Sequence, residues 1–195
     1  MRRPSTRQRR FVILLLALLT FGIAYYGGNR YSTPPPAQIS GVLVNPVMPM
    51  PNLHLQNQKG EAFGNDQLRD HWNLLLLDPS SDQNDTALRK LVQVHNRLAD
   101  DPKLQQRTVF IYVVKQSREA LIDKFASLGQ NFVLLSGKPG AIDALFEQLG
   151  NPPDGVDNFV LYLVDPDVNI QALYIGELDA TAIAQDFHSL LAHQR

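Results

Sequence analysis

Three strand-length runs without a single charged side chain constrain this chain most: Trp72 to Leu77 (WNLLLL), Val109 to Val114 (VFIYVV) and Phe159 to Val164 (FVLYLV). A run that is apolar at odd and even positions alike is buried on both faces, as central strands of a sheet covered on both sides are. The segments between these runs change period. Leu88, Leu91, Val92, His95 and Leu98 recur at helical spacing, as do Leu121, Ile122, Phe125 and Leu128, and then Ile142, Leu145, Phe146 and Leu149. A short strand over Phe132 to Leu135 lies between the last two stripes. The Gly150 and Pro152-Pro153 stop is followed by two strands, joined at Asp165-Pro166-Asp167-Val168-Asn169, and by a final helix through Ile183, Phe187, Leu190 and Leu191. Strand, helix, strand in succession demands a parallel pair, and the late hairpin adds antiparallel strands. The fold class is α/β, a mixed sheet with helices on both faces.

The start of the chain has a different character. Residues 1–10 hold five arginines and no acid, and Phe11 to Tyr26 (FVILLLALLTFGIAYY) is apolar throughout. With Gly27 and Gly28 it approaches the roughly 20 residues that cross a bilayer. We assign residues 1–10 to a cytoplasmic tail and 11–28 to a single membrane anchor, so that the positive-inside rule carries the rest of the chain across. A cleaved signal peptide is the competing reading, for which GIAYYGG offers no A-x-A site. Residues 29–51, with Pro34-Pro35-Pro36 and then Pro46, Pro49 and Pro51, are read as an extended linker. Residues 52–195 then form the folded domain. It opens on a small hairpin about Asn57-Gln58-Lys59-Gly60. From residue 31 onward twelve basic residues face nineteen acidic ones, a formal charge of −7. That balance opposes binding to nucleic acid or to anionic headgroups.

The sequence contains no cysteine. Thiol–disulfide exchange and thiolate–metal binding are therefore closed to it. The remaining candidates are sparse. Met48, Met50 and His54 are the only cluster of soft ligands, and offer thioethers and an imidazole to Cu(I) if they do more than pack. Asp78, Asp82 and Asp85 lack the glycine and terminal glutamate of a calcium loop, and read as a solvated, helix-capping segment. His54, His71, His95, His188 and His193 show no metal-ligand spacing. His95 belongs at the edge of the core, and His188 and His193 on the surface. Ser80-Ser81 lacks a nucleophile elbow, and Ser136-Gly137-Lys138-Pro139-Gly140 is too short for a phosphate loop. No catalytic, cofactor-binding or metal residue is assigned, and no small-molecule substrate is inferred.

The order β-α-β-α followed by β-β-α is the thioredoxin arrangement, here with an extra strand and helix. Within it, Gly41 to Trp72 resembles the opening of Sco/SenC proteins. Leu55, Gly60, Phe63, Leu68 and Trp72 fall in register with that family's pattern of an apolar run, a proline-rich bend, a hairpin and a tryptophan. Ser136 to Ile142 resembles its segment before a helix, and FVLYLVDP over Phe159 to Pro166 resembles its late hairpin. The resemblance implies a membrane-anchored domain that assists assembly of the copper centre of cytochrome c oxidase. It also implies ligands that this chain lacks. Counting from Trp72 without gaps, Asp82 and Thr86 occupy the family's two cysteine positions. Counting back from Asp165-Pro166, Asp157 occupies its histidine position. Oxygen donors of this kind are hard and suit Cu(I) poorly. The expectation is a Sco-like accessory protein without redox or enzymatic activity. It would sit in a bacterial inner membrane with its domain in the periplasm, and bind an oxidase subunit or assembly factor. The rival expectations are a copper carrier built on Met48, Met50 and His54, and a general thioredoxin-like scaffold of the envelope.

Overall fold

The computed structural model describes residues 18–24, 39–78, 85–115, 119–150, 160–176 and 179–193. It divides into a unit over Met1–Ala37 and a unit over Gln38–Arg195. In the first, residues 18–24 are helical, with Leu18, Leu19, Phe21 and Ile23 exposed. No helix among the described residues is long and apolar enough to cross a membrane. Most of the apolar run 11–28, and the whole basic tail, lie outside the described residues.

The described residues of the second unit form eight strands: β1 (Val42–Pro49), β2 (Leu55–Asn57), β3 (Ala62–Phe63), β4 (Trp72–Asp78), β5 (Thr108–Val114), β6 (Phe132–Ser136), β7 (Val160–Val164) and β8 (Asn169–Ile175). They form one sheet in the order β1-β8-β7-β4-β5-β6-β2-β3. β4, β5 and β6 are parallel, and every other neighbouring pair is antiparallel. The helices are α1 (Asp85–Arg97), α2 (Pro102–Gln106), α3 (Glu119–Leu128), α4 (Pro139–Gln148) and α5 (Ala180–His193). The mixed sheet, the early crossover, the late hairpin and the closing helix all follow the periodicities of the sequence. The short α2 does not stand out in them. Pro102 fixes its first turn, and the Asp101 carboxylate accepts the Leu104 N–H at 3.1 Å.

The central strand β4 shows why its run is unbroken. All seven of its residues are buried. Leu75 and Leu77 face one core with Ile111, Val113, Ile142 and Phe146, under α4. On the opposite face Trp72 meets Phe187 of α5 edge to face, with centroids 6.0 Å apart. Also on the helical layers, His95 of α1 lies half-buried against Phe110 and Phe132, at 5.3 and 5.1 Å, the core-edge place its spacing predicts. Val94, which the apolar stripe passes over, is fully buried, and Val92 is only half so.

One boundary is corrected. The prolines place a linker through Pro51, but Val42–Pro49 is a strand, paired antiparallel with β8 through Val42–Leu173 and Met48–Ile170. Its register shifts between Leu43 and Met48, around Pro46. Prolines cannot donate to a ladder, and so are tolerated on an edge strand with a bulge. The far end of this strand is held from 146 residues away in sequence. The buried Asp186 of α5 accepts the Ser40 N–H at 2.9 and 3.0 Å and the Gly41 N–H at 3.2 Å. A Cβ on Gly41 would come within 2.6 Å of the Tyr174 ring and 2.7 Å of the Leu173 carbonyl, so only glycine allows this approach.

Candidate functional site

Parallel β4, β5 and β6 end at one edge of the sheet, where β7 begins and β8 finishes (Leu77 pairs with Val160, and Val160 with Ile175). The carboxyl edge of such a sheet is where α/β folds gather function. Asp78 closes β4 there. It is not the solvated loop residue that its neighbours suggested. It is 3% exposed, and its Oδ2 accepts a short hydrogen bond from the Tyr112 hydroxyl. Tyr112 lies two residues back on β5 and stacks on Phe125 of α3, which fixes the direction of the phenol. A carboxylate buried this deeply needs such a donor. The pair is a structural clasp at the edge, and burial was the signal missing from sequence, where Asp78 opens a polar run.

Thr86 lies in the first turn of α1 and is exposed. Its Oγ1 accepts from Arg89 at 3.3 Å. Asp82 and Asp157 lie outside the described residues, as does the side chain of Asp85. On the same edge Lys115 pairs with Asp143 of α4 at 2.8 Å and lies 5.8 Å from the centre of the Phe146 ring. Both partners are largely exposed, so the pair adds at most about 1 kcal/mol. Among the described residues no group of three His, Cys, Asp or Glu side chains is placed to hold a metal.

The soft-ligand cluster is not arranged as one face. Met50 is 5% exposed, packed with Leu53 and Val168 in the core under α4, whereas Met48 is 39% exposed on the edge strand. His54 is exposed and lines a cleft with Met50 that Met48 does not reach. His71 and His188 are exposed, and the His71 ring is within hydrogen-bond distance of the Arg69 carbonyl, at 2.8 Å.

No protein-family model matches the sequence, and no curated protein matches it. Solved structures do match its shape. ScoI of Arabidopsis thaliana with copper bound superposes with a TM-score of 0.59 at 15% identity, over 74% of this chain and 98% of that one. Yeast Sco1 with copper bound gives 0.60 at 13%, over 74% and 92%. The fold is Sco-like. BsSco, a member of the Sco family of cytochrome c oxidase assembly proteins, gives 0.56 at 17%, over 76% and 96%. The Sco-like thioredoxin fold thus spans nearly the whole length of these proteins, as the register of Leu55, Gly60, Phe63, Leu68 and Trp72 implied. This chain puts no sulfur nucleophile on that scaffold, since it has no cysteine. The edge that ends in Asp78 and Thr86 can hydrogen-bond and carry charge, and cannot exchange thiols.

Proposed function

We propose that this protein is a membrane-anchored, redox-inactive accessory in the assembly of cytochrome c oxidase, acting by binding another protein. Residues 11–28 hold it in a bacterial inner membrane, and the Sco-like domain faces the periplasm. The observation that carries the reading is the pairing of a complete Sco-like fold with a sequence that has no cysteine. On this reading the scaffold meets its partner by recognition alone, without thiols. Its domain charge of −7 favours a basic counterpart. Asp82, Thr86 and Asp157, in the positions of the family's copper ligands, are poor ligands for Cu(I). The protein therefore neither carries copper nor exchanges electrons, and catalyses no reaction.

A deletion strain tests this. Membranes from it will hold less assembled oxidase than the parent, and the full chain will restore the level whether or not copper is added. Crosslinking in native membranes will recover an oxidase subunit or an assembly factor. Normal oxidase content in the deletion strain would sink the proposal. Stoichiometric Cu(I) on the purified chain, lost when Met48 and Met50 are both replaced, would instead establish the copper carrier.

A further inference from the structure

At the opposite edge of the sheet from Asp78, beside the β7–β8 turn, lies a cleft of about 470 Å³. It falls within the size range of ligand sites. Three separate segments wall it, and hydrogen bonds tie them to one another. The Asn65 carboxamide accepts the Leu53 N–H at 2.9 Å and donates to the Met50 carbonyl at 3.2 Å. The Met50 N–H donates to the Val168 carbonyl at 3.0 Å, and the Asp70 N–H to the Pro166 carbonyl at 3.1 Å. The walls are thus set before anything binds.

Two of these segments contain left-handed backbone at residues other than glycine: Asp70 at φ 64° and Val168 at φ 67°. For a β-branched residue this conformation is strained, and such strain collects at functional sites. Glycine would make the turn at Val168 without strain. Val168 supplies in return a buried side chain, which forms the apolar floor of the cleft with Met50 and Leu53.

Asn52 and Asn169 also line the cleft, and among the described residues neither carboxamide has a hydrogen-bond partner. Each offers a donor and an acceptor, the complement of a peptide group. The rim is acidic: Asp66 and Asp167 outnumber Arg69, whose Nε already faces Asp66 at 3.5 Å.

We propose that this cleft binds an extended polypeptide segment, with one apolar side chain on the Met50–Leu53–Val168 floor, its backbone held by Asn52 and Asn169, and a basic residue beside Asp66 and Asp167. This deepens the reading above, on which it rests, by naming the surface through which a protein that works by binding takes its partner. That surface lies away from the edge where the family's ligands would fall. An anionic ligand is opposed by the rim.

The test uses the isotopically labelled full chain in lipid nanodiscs. The probe is a short capped peptide carrying one leucine between two lysines in a glycine–serine background, with leucine-to-serine and lysine-to-glutamate versions. Amide shifts will move at Asn52, His54, Val168 and Asn169 and not at Asp78 or Thr86. Affinity will fall about tenfold, or 1.4 kcal/mol, in Asn52→Ala and in Asp167→Lys, and similarly for either altered peptide. Asn52 and Asp167 are exposed, so both variants keep the fold, and an unchanged amide spectrum elsewhere verifies it. No shift at the cleft, or binding equal in both variants, overturns the inference. The outcome is independent of oxidase content: binding with normal oxidase in the deletion strain would refute the assembly role alone.

Discussion

Replacing Asp186 with alanine will release the start of β1 and lower the stability of the sheet domain by about 1.5–3 kcal/mol. Its carboxylate is 3% exposed and accepts two backbone N–H groups, those of Ser40 and Gly41, at 2.9 to 3.2 Å. A hydrogen bond to a charged group contributes roughly 1.5–3 kcal/mol. Two reductions apply. Ser40 is exposed, so its N–H regains water when the carboxylate goes, and the desolvation of a buried charge disappears with that charge. These bring two bonds of about 3–6 kcal/mol down to the range given. Asp186→Asn retains an acceptor oxygen and will lose about half as much. The assays are urea unfolding of the full chain and amide hydrogen exchange. Exchange at Ser40 and Gly41 will accelerate far more than exchange in β4, because the edge strand opens alone before the centre does. The neighbouring Tyr174 sharpens the picture. Burial first, and then the nearby Asp186 carboxylate, hold its phenol far above the ordinary range. A loss under about 0.5 kcal/mol, with Ser40 and Gly41 exchanging as before, would refute this reasoning.

Tyr112→Phe removes the hydroxyl from the buried Asp78 carboxylate and will cost about 1.5–3 kcal/mol in urea unfolding. No loss would mean that Asp78 is satisfied elsewhere. Burial raises the Tyr162 phenol from 10.0 to about 12. The folded state thus favours the neutral form, so this contribution to stability is complete below pH 10 and declines as the pH rises from there to about 12. Tyr162→Phe will flatten part of that alkaline limb, at the expense of the bond to the Leu149 carbonyl at 2.9 Å, and unfolding curves over this range will read it. Introducing Asp82→Cys, Thr86→Cys and Asp157→His together will add one equivalent of bound Cu(I) over the parent chain, measured by metal analysis of both after dialysis. A triple variant that stays metal-free would show that the gapless count misplaces the ligand positions.

Much of the domain was legible because burial on two faces leaves a local mark. WNLLLL and VFIYVV can hardly be anything but central strands, and the stripe through Ile142, Leu145 and Phe146 names the side of α4 that meets them. The edge strand was not legible, because an edge is half solvated and tolerates proline, so β1 reads as a linker. The site was legible only in part. The absence of cysteine excludes thiol chemistry at once, whereas Asp82 and Asp157 lie outside the described residues and Thr86 is an exposed residue in the first turn of α1. Asp78 misled, since a charged residue before Pro79-Ser80-Ser81 looks solvated until Tyr112 is placed above it. Met48, Met50 and His54 are close in sequence, yet Met50 packs inward while Met48 is exposed, a division that the spacing does not show.

The amino-acid sequence by itself determined the succession of central strands and longer helices and the thiol chemistry closed to the protein, because periodicity and residue type act over a few positions. The tertiary structure alone decided which strand became an edge, which carboxylates are buried, and where three distant segments enclose a cleft. Those outcomes depend on contacts such as Asp186 to Ser40 and Met50 to Val168, whose partners no local pattern names.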